Sequence, residues 1–143
     1  MKVLFDTSVI VPTLVDQLSQ HPACFATYET YTSGSNQGFC SAHCLAECYA
    51  VLTALPLPRR ITTDEALLLI TESVIGRLEI VSLSHAHYLD AIADVARRGL
   101  TSGIIYDALH VSAAVQASCS RIYTNNLEHF RSICPSQIIV SAP

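Results

Sequence analysis

The sequence predicts an α/β fold, a parallel sheet with helices packed on both of its faces. Two observations lead there. Short apolar runs without alternation, of which Val3-Leu4-Phe5 is the clearest, suit strands buried on both sides. Between these runs lie helical segments with their own caps and stops, an order that right-handed crossovers turn into parallel strands. At 143 residues the chain suits one domain spanning residues 1–143. Half of the residues are hydrophobic and 14% are charged, which excludes disorder, collagen and coiled coil.

Lys2 to Phe5 reads as the first strand, with Asp6 at its carboxyl end. Thr7 and Ser8 can cap a helix running to about Leu18, with Pro12 kinking it or lying in its first turn. Tyr31 to Gly38, rich in glycine, serine and asparagine, reads as a surface loop. A short strand near Phe39 leads into a helix from about Ala42 to Leu55, stopped by Pro56 and Pro58. Thr62-Thr63-Asp64-Glu65 is a capping-box pattern that opens a third helix reaching about Ile75. Leu78 to Leu83 reads as a strand, and Ser84 caps a helix to Arg98. Gly99 and Gly103 punctuate the entry to another helix, Ile104 to Ala117. Arg121 to Thr124 and Gln137 to Val140 supply the last strands.

Charge and composition narrow the function. Eight Lys plus Arg against twelve Asp plus Glu give a net charge of -4, so no global positive field grips nucleic acid and any polyanion must be held locally. No apolar stretch reaches the roughly 18 residues of a membrane span, and no signal peptide is visible. Six cysteines in a chain with a sizeable core point to free thiols and a cytoplasmic location.

The acids are distributed unevenly. Val3 to Val15 holds one charge, Asp6; Gly38 to Pro58 holds only Glu47; Gly99 to Ser120 holds only Asp107. Singly, each can be a helix cap or an exposed helical residue. Jointly, three carboxylates isolated in apolar sequence with few basic partners suggest a shared need, because a buried carboxylate must be protonated, paired or bound to metal. If the segments converge, a hard cation such as Mg2+ or Mn2+ suits them. Asp6 already stands where open parallel sheets bind ligands, outside a strand's carboxyl end. Asp90 and Asp94 differ, since Arg97 and Arg98 lie one or two helical turns away.

Leu4-Phe5-Asp6-Thr7-Ser8, Leu45-Ala46-Glu47, Tyr106-Asp107-Ala108-Leu109-His110, and Thr124-Asn125-Asn126 with Phe130 resemble, in order and spacing, the PIN-domain nucleases and especially the VapC-type toxins of toxin-antitoxin pairs. The resemblance covers nearly the whole chain. It implies a three-layer α/β/α fold with a five-stranded parallel sheet, and Asp6, Glu47 and Asp107 as ligands of Mg2+ or Mn2+. The implied activity is endonucleolytic cleavage of RNA by a metal-activated water, leaving a 5'-phosphate and a 3'-hydroxyl. The implied partners are a cognate antitoxin and a second copy in a homodimer. One departure stands out. Many members carry a fourth acid where this chain has Asn126; His129 follows nearby, and Glu128 is off register. An amide adds no negative charge, so one tightly held ion is expected rather than two.

Other residues have a structural and a functional reading. Ser8 and Thr124 can orient a carboxylate or a water, or simply cap a helix and a strand end. His110 can face the cleft and contact phosphate, or be a satisfied buried residue. Cys40, Cys44 and Cys48 recur every four residues beside His43, but on one helix they would rise about 6 Å per step and cannot all reach a zinc ion at about 2.3 Å. They read as small buried hydrophobes. Arg59-Arg60 and Arg97-Arg98 are the paired cations that can flank a nucleic-acid cleft, and Tyr28 and Tyr31 the aromatics near the loop. Leu67-Leu68-Leu69-Ile70 exceeds what one buried helix face needs, which suggests an interface. Two alternatives remain beside the nuclease. A PIN-like binding module with a decayed metal site would show no cation-dependent turnover. A phosphoryl enzyme using Asp6 as nucleophile lacks the second Asp two residues on, where Ser8 stands.

Overall fold

The computed structural model describes residues 1–143. Five strands form one parallel sheet: β1 (Lys2–Phe5), β2 (Gln37–Ser41), β3 (Glu79–Val81), β4 (Arg121–Tyr123) and β5 (Ile139–Ser141), in the order β3-β2-β1-β4-β5. Seven α-helices connect them: α1 (Thr7–Leu14), α2 (His21–Tyr31), α3 (Ala42–Ala54), α4 (Thr63–Leu69), α5 (His85–Arg97), α6 (Ile104–Gln116) and α7 (Leu127–Ile133). No helix is long and apolar enough to cross a membrane.

The three inner strands, β2, β1 and β4, are covered on both faces, and the edge strands β3 and β5 are partly exposed. Alternate residues serve opposite cores. Val3 and Phe5 of β1, Cys40 of β2 and Tyr123 of β4 pack with Val9 and Ile10 of α1, Tyr28 of α2, Cys44 and Cys48 of α3 and Ala66 of α4. Leu4, Phe39 and Ile122 face the other way, onto Val111 and Ala114 of α6 and Phe130 and Ile133 of α7. All six cysteines are free thiols, and Cys40, Cys44 and Cys48 are fully buried. Cys40 belongs to β2 rather than to a helix, so only Cys44 and Cys48 stack on α3, with sulfurs 3.7 Å apart.

Several boundaries differ from expectation. The first helix ends at Leu14, not Leu18, and Thr7 is its first residue, not its cap. Pro12 lies inside it, and having no N–H it cannot serve the carbonyl of Ser8. That carbonyl accepts instead from Asn125 Nδ2 at 2.7 Å, which ties α1 to the segment after β4. Helix α2 occupies a stretch the sequence left unassigned, because only Cys24 and Tyr28 face inward and its apolar pattern is weak. Tyr31 ends that helix and Gln37 opens β2, so the loop shrinks to residues 32–36. Helix α7 also went unread, being only seven residues long.

The expected capping box at Thr62 and Glu65 is present, with both reciprocal hydrogen bonds. Helix α4 then passes into a π-helical segment, Ile70–Ile75, so that Ala66, Ile70 and Val74 are buried while Leu67 and Leu68 remain 59% and 54% exposed. Gly76 closes this segment, its N–H bonded to the carbonyl of Thr71. A Cβ there would meet the carbonyl oxygen of Glu72 at 2.4 Å, a backbone atom that cannot swing aside. Gly76→Ala is therefore expected to destabilise the chain by about 1–3 kcal/mol. Urea unfolding measures it, and an unchanged midpoint would contradict the assigned backbone path.

Candidate active site

The strand order reverses direction at β1. The chain moves outward from β1 to β2 and β3, then returns to place β4 on the other side of β1. Such a switch point opens a crevice at the carboxyl ends of the strands. The pairing of Phe5 with Tyr123 sets Asp6 beside Thr124 there. Helix α3 leaves from the same edge after β2, and α6, running back toward the start of β4, has its first turn at that edge. Asp6, Glu47 of α3, Asp107 of α6 and Asn126 accordingly line one cleft of about 400 Å3, together with Thr7 and Ser8. No Lys or Arg is among its lining residues.

Asp6 is buried, at 3% exposure, and held by hydroxyls. Its Oδ2 accepts from Ser8 Oγ at 2.6 Å and from Thr124 Oγ1 at 2.9 Å, while Oδ1 takes no hydrogen bond and lies 3.6 Å from His110 Nε2. Both hydroxyls serve the chain as well. Ser8 Oγ accepts from the N–H of Asn125 and Thr124 Oγ1 from the N–H of Asn126, each at 2.9 Å. Thr124 thus combines the carboxylate-orienting reading with the plain structural one.

His110 is fully buried. Its Nε2–H donates to Glu47 Oε1 at 2.6 Å and its Nδ1 pairs with Ser41 Oγ at 2.8 Å. Ser41 also caps α3 by accepting from the N–H of Cys44. Glu47 Oε1 further accepts from Thr7 Oγ1 at 3.3 Å, which leaves Oε2 without a hydrogen bond. Burial by itself would lower the pKa of His110, but the bond to Glu47 and the charge of Asp6 outweigh it and raise it to about 9. Asp107 Oδ2 accepts from His129 Nδ1 at 3.2 Å. Burial first, and the nearby charge of Asp6 second, push the pKa of Asp107 above the usual carboxylate range despite that bond.

The acids therefore have basic partners, and these are histidines. The sequence places His110 at the cleft or in the core and His43 and His129 near the candidate residues, but does not pair any of them with an acid; the i,i+4 spacing of His43 and Glu47 on one helix is the signal that points to such a pair. Ser41 and Thr7 carried none. Asn126 lies in the cleft but leaves its backbone, not its side chain, as the bonded group. As the side chains stand, no three acidic, histidine or cysteine groups close on one point as an ion cage. The arginine pairs are not at the cleft: Arg59 pairs with Glu65, and Arg97 and Arg98 with Asp94. Tyr28 and Tyr31 belong to the core side, Tyr28 donating to the carbonyl of Ser73 and Tyr31 packing on Tyr123, so neither is a free stacking surface.

Residues 3–134 match the family model of the PIN domain. The chain belongs to the PIN-domain family. Within it the likeness is to VapC proteins: the chain is 33% identical over 111 residues to Ribonuclease VapC27 of Mycobacterium tuberculosis, spanning 78% of this chain and 75% of that one. Among solved structures, VapC20 of M. tuberculosis, a sarcin-ricin loop cleaving toxin, aligns with a TM-score of 0.73 at 11% identity over 91% of this chain and 94% of that one. VapBC2 of Rickettsia felis, solved with a DNA fragment from its promoter, aligns with a TM-score of 0.69 at 20% identity over 100% and 99%. These structural likenesses establish the PIN fold and its five-stranded parallel sheet.

The raised pKa of His110 makes its imidazolium a stabilising element of this PIN domain free of metal. The contribution is complete below about pH 6.5, the unfolded value, and disappears as pH rises through about 9. In chelator, the stability gap between the wild-type chain and His110→Gln is expected to narrow by at most about 3 kcal/mol over that interval. Urea unfolding at a series of pH values gives the gap, and a gap independent of pH would show that His110 is neutral in the folded chain.

Proposed function

We infer that this PIN domain is a divalent-metal-dependent endoribonuclease, the toxin of a toxin-antitoxin pair acting in the cytoplasm. The observation that carries this reading is the cleft at the switch point, where Asp6, Glu47 and Asp107 arrive from three separate segments. The donor set fits Mg2+ or Mn2+: three carboxylates, unbonded oxygens on Asp6 and Glu47, and an Asp107 whose charged form is disfavoured until a cation offsets it. Held by Asp6, Glu47 and Asp107, such an ion would supply polarisation of a phosphoryl oxygen and a more acidic water for hydrolysis.

The chain's own groups prepare that chemistry. Ser8 and Thr124 hold Asp6 by one oxygen, Oδ2, and leave Oδ1 without a hydrogen bond. His110 and Thr7 hold Glu47 by Oε1 in the same manner. Such bonds fix ligand orientation and are costly to lose. His129, itself exposed, holds Asp107 by a single hydrogen bond, so the side chain of Asp107 would have one bond to give up in turning toward an ion. The neutral Asn126 leaves one ion as the expected occupancy.

The partner reading rests on the surface and on the relatives. Leu14, Leu57, Ile61, Leu68 and Leu69 line an apolar groove bordered by Arg59 and Glu65. An antitoxin segment with apolar and charged side chains would cover it, in keeping with the VapBC pairs among the similar structures. Leu89 and Ile92 of α5 are further exposed apolar residues available to a homodimer.

Labelled single-stranded RNA incubated with the purified chain is expected to be cut in Mg2+ or Mn2+ and to survive in chelator. Asp6→Asn and Asp107→Asn should each lower the rate about a hundredfold or more, a loss a contaminating nuclease would not share. Cutting that persists in either variant, or without a cation, refutes the assignment; metal binding and turnover both absent leave a binding module with a decayed site. Asn126→Asp should tighten Mn2+ binding measured by calorimetry, and unchanged affinity would remove Asn126 from the ion's surroundings.

A further inference from the structure

Three aromatic rings climb from the buried site to the surface. His110 is fully buried, and its ring lies 6.1 Å, centroid to centroid, from that of His43. His43 in turn stacks on Tyr106, with centroids 5.1 Å apart and planes within 10° of parallel. Tyr106 is 49% exposed, its hydroxyl takes no hydrogen bond, and neither it nor His43 belongs to either apolar core. The column is tied to the candidate ligands at both levels. His43 stands one helical turn before Glu47, its Nε2 3.7 Å from Glu47 Oε1, and Tyr106 immediately precedes Asp107.

Phe25 and Tyr49 are about as exposed as Tyr106, but Tyr106 alone of the three stacks nearly parallel on a histidine beside a candidate ligand, and parallel ring planes are what a further ring can extend. Single-stranded RNA offers such rings, since its unpaired bases stack on aromatic side chains without regard to sequence. His43 and Tyr106 do not line the cleft but adjoin Glu47 and Asp107, which do, so a strand bound there would pass beside this column. We propose that the His43–Tyr106 stack is a base-stacking subsite that seats an unpaired nucleobase of the RNA strand beside the scissile phosphate. The inference rests on the nuclease reading above for its substrate, and it adds the element that holds the strand.

The probe is a set of twelve-nucleotide single-stranded RNAs, each carrying 2-aminopurine at one position. Binding is measured on the Asp6→Asn chain, alone and combined with Tyr106→Ala, Tyr106→Phe or His43→Ala. Stacking on Tyr106 should quench 2-aminopurine at one or two positions. Tyr106→Ala should abolish that quenching and weaken binding about tenfold, whereas Tyr106→Phe keeps both and His43→Ala gives an intermediate loss. The subsite is overturned if no position is quenched, if quenching survives Tyr106→Ala, or if Tyr106→Phe loses as much as Tyr106→Ala. It is also overturned if Tyr106→Ala changes the mass in light scattering while quenching persists, for then the ring covers a second copy of the chain. RNA that is bound and quenched but left uncut by the wild-type chain refutes the nuclease reading alone and leaves the subsite in place.

Discussion

A carboxylate buried at the carboxyl end of the central strand is the constraint around which this molecule is arranged. Asp6 is taken from water at the point where the two apolar cores meet, and an isolated buried charge costs several kcal/mol unless neighbours satisfy it. The fold brings those neighbours from near and distant sequence alike. Ser8 comes from the helix that Asp6 itself begins, Thr124 from the strand across the switch point, and His110 from the opposite face of the sheet. Ser8 and Thr124 also accept backbone N–H groups, and His110 binds the serine that caps α3, so the polar cluster is part of the scaffold as much as of the cleft.

His110 makes the arrangement consistent. It stands between Glu47 and Asp6, two like charges that would otherwise repel across a poorly solvated gap, and its cationic form offsets both. Ser41 completes the chain of bonds and couples it to the start of α3, the helix that carries Glu47. The same helix presents Cys44 and Cys48 to the core on its inner side. One helix therefore fixes a ligand position, a hydrogen-bond network and a packing face at once, and this explains why an otherwise apolar segment tolerates a single acid.

Much of this was legible in the sequence, and the reasons are local. Strands buried on both faces show as unbroken apolar runs, and Thr62 and Ser84 announce helices by their side-chain caps. The convergence of Asp6, Glu47 and Asp107 on one cleft was suggested by their isolation, since a lone acid in apolar sequence needs a reason. What stayed hidden depends on contacts across the sheet. No spacing shows that Thr7 reaches Glu47 or that His129 reaches Asp107, because those pairs join residues 40 and 22 positions apart. Helix α2 was hidden for another reason: with two inward residues, Cys24 and Tyr28, its amphipathic signal is too faint to separate from a loop.

The proline inside α1 carries one more consequence. By freeing the carbonyl of Ser8 it creates a vacancy that only Asn125, 117 residues later, fills, and Thr124 reaches Asp6 across a similar interval of 118. The first acid thus remains without its proper geometry until the chain past β4 has been synthesised and has docked. The two ends of the domain must therefore meet before the cleft is complete, so the geometry of its first carboxylate reports on the docking of the last third of the chain.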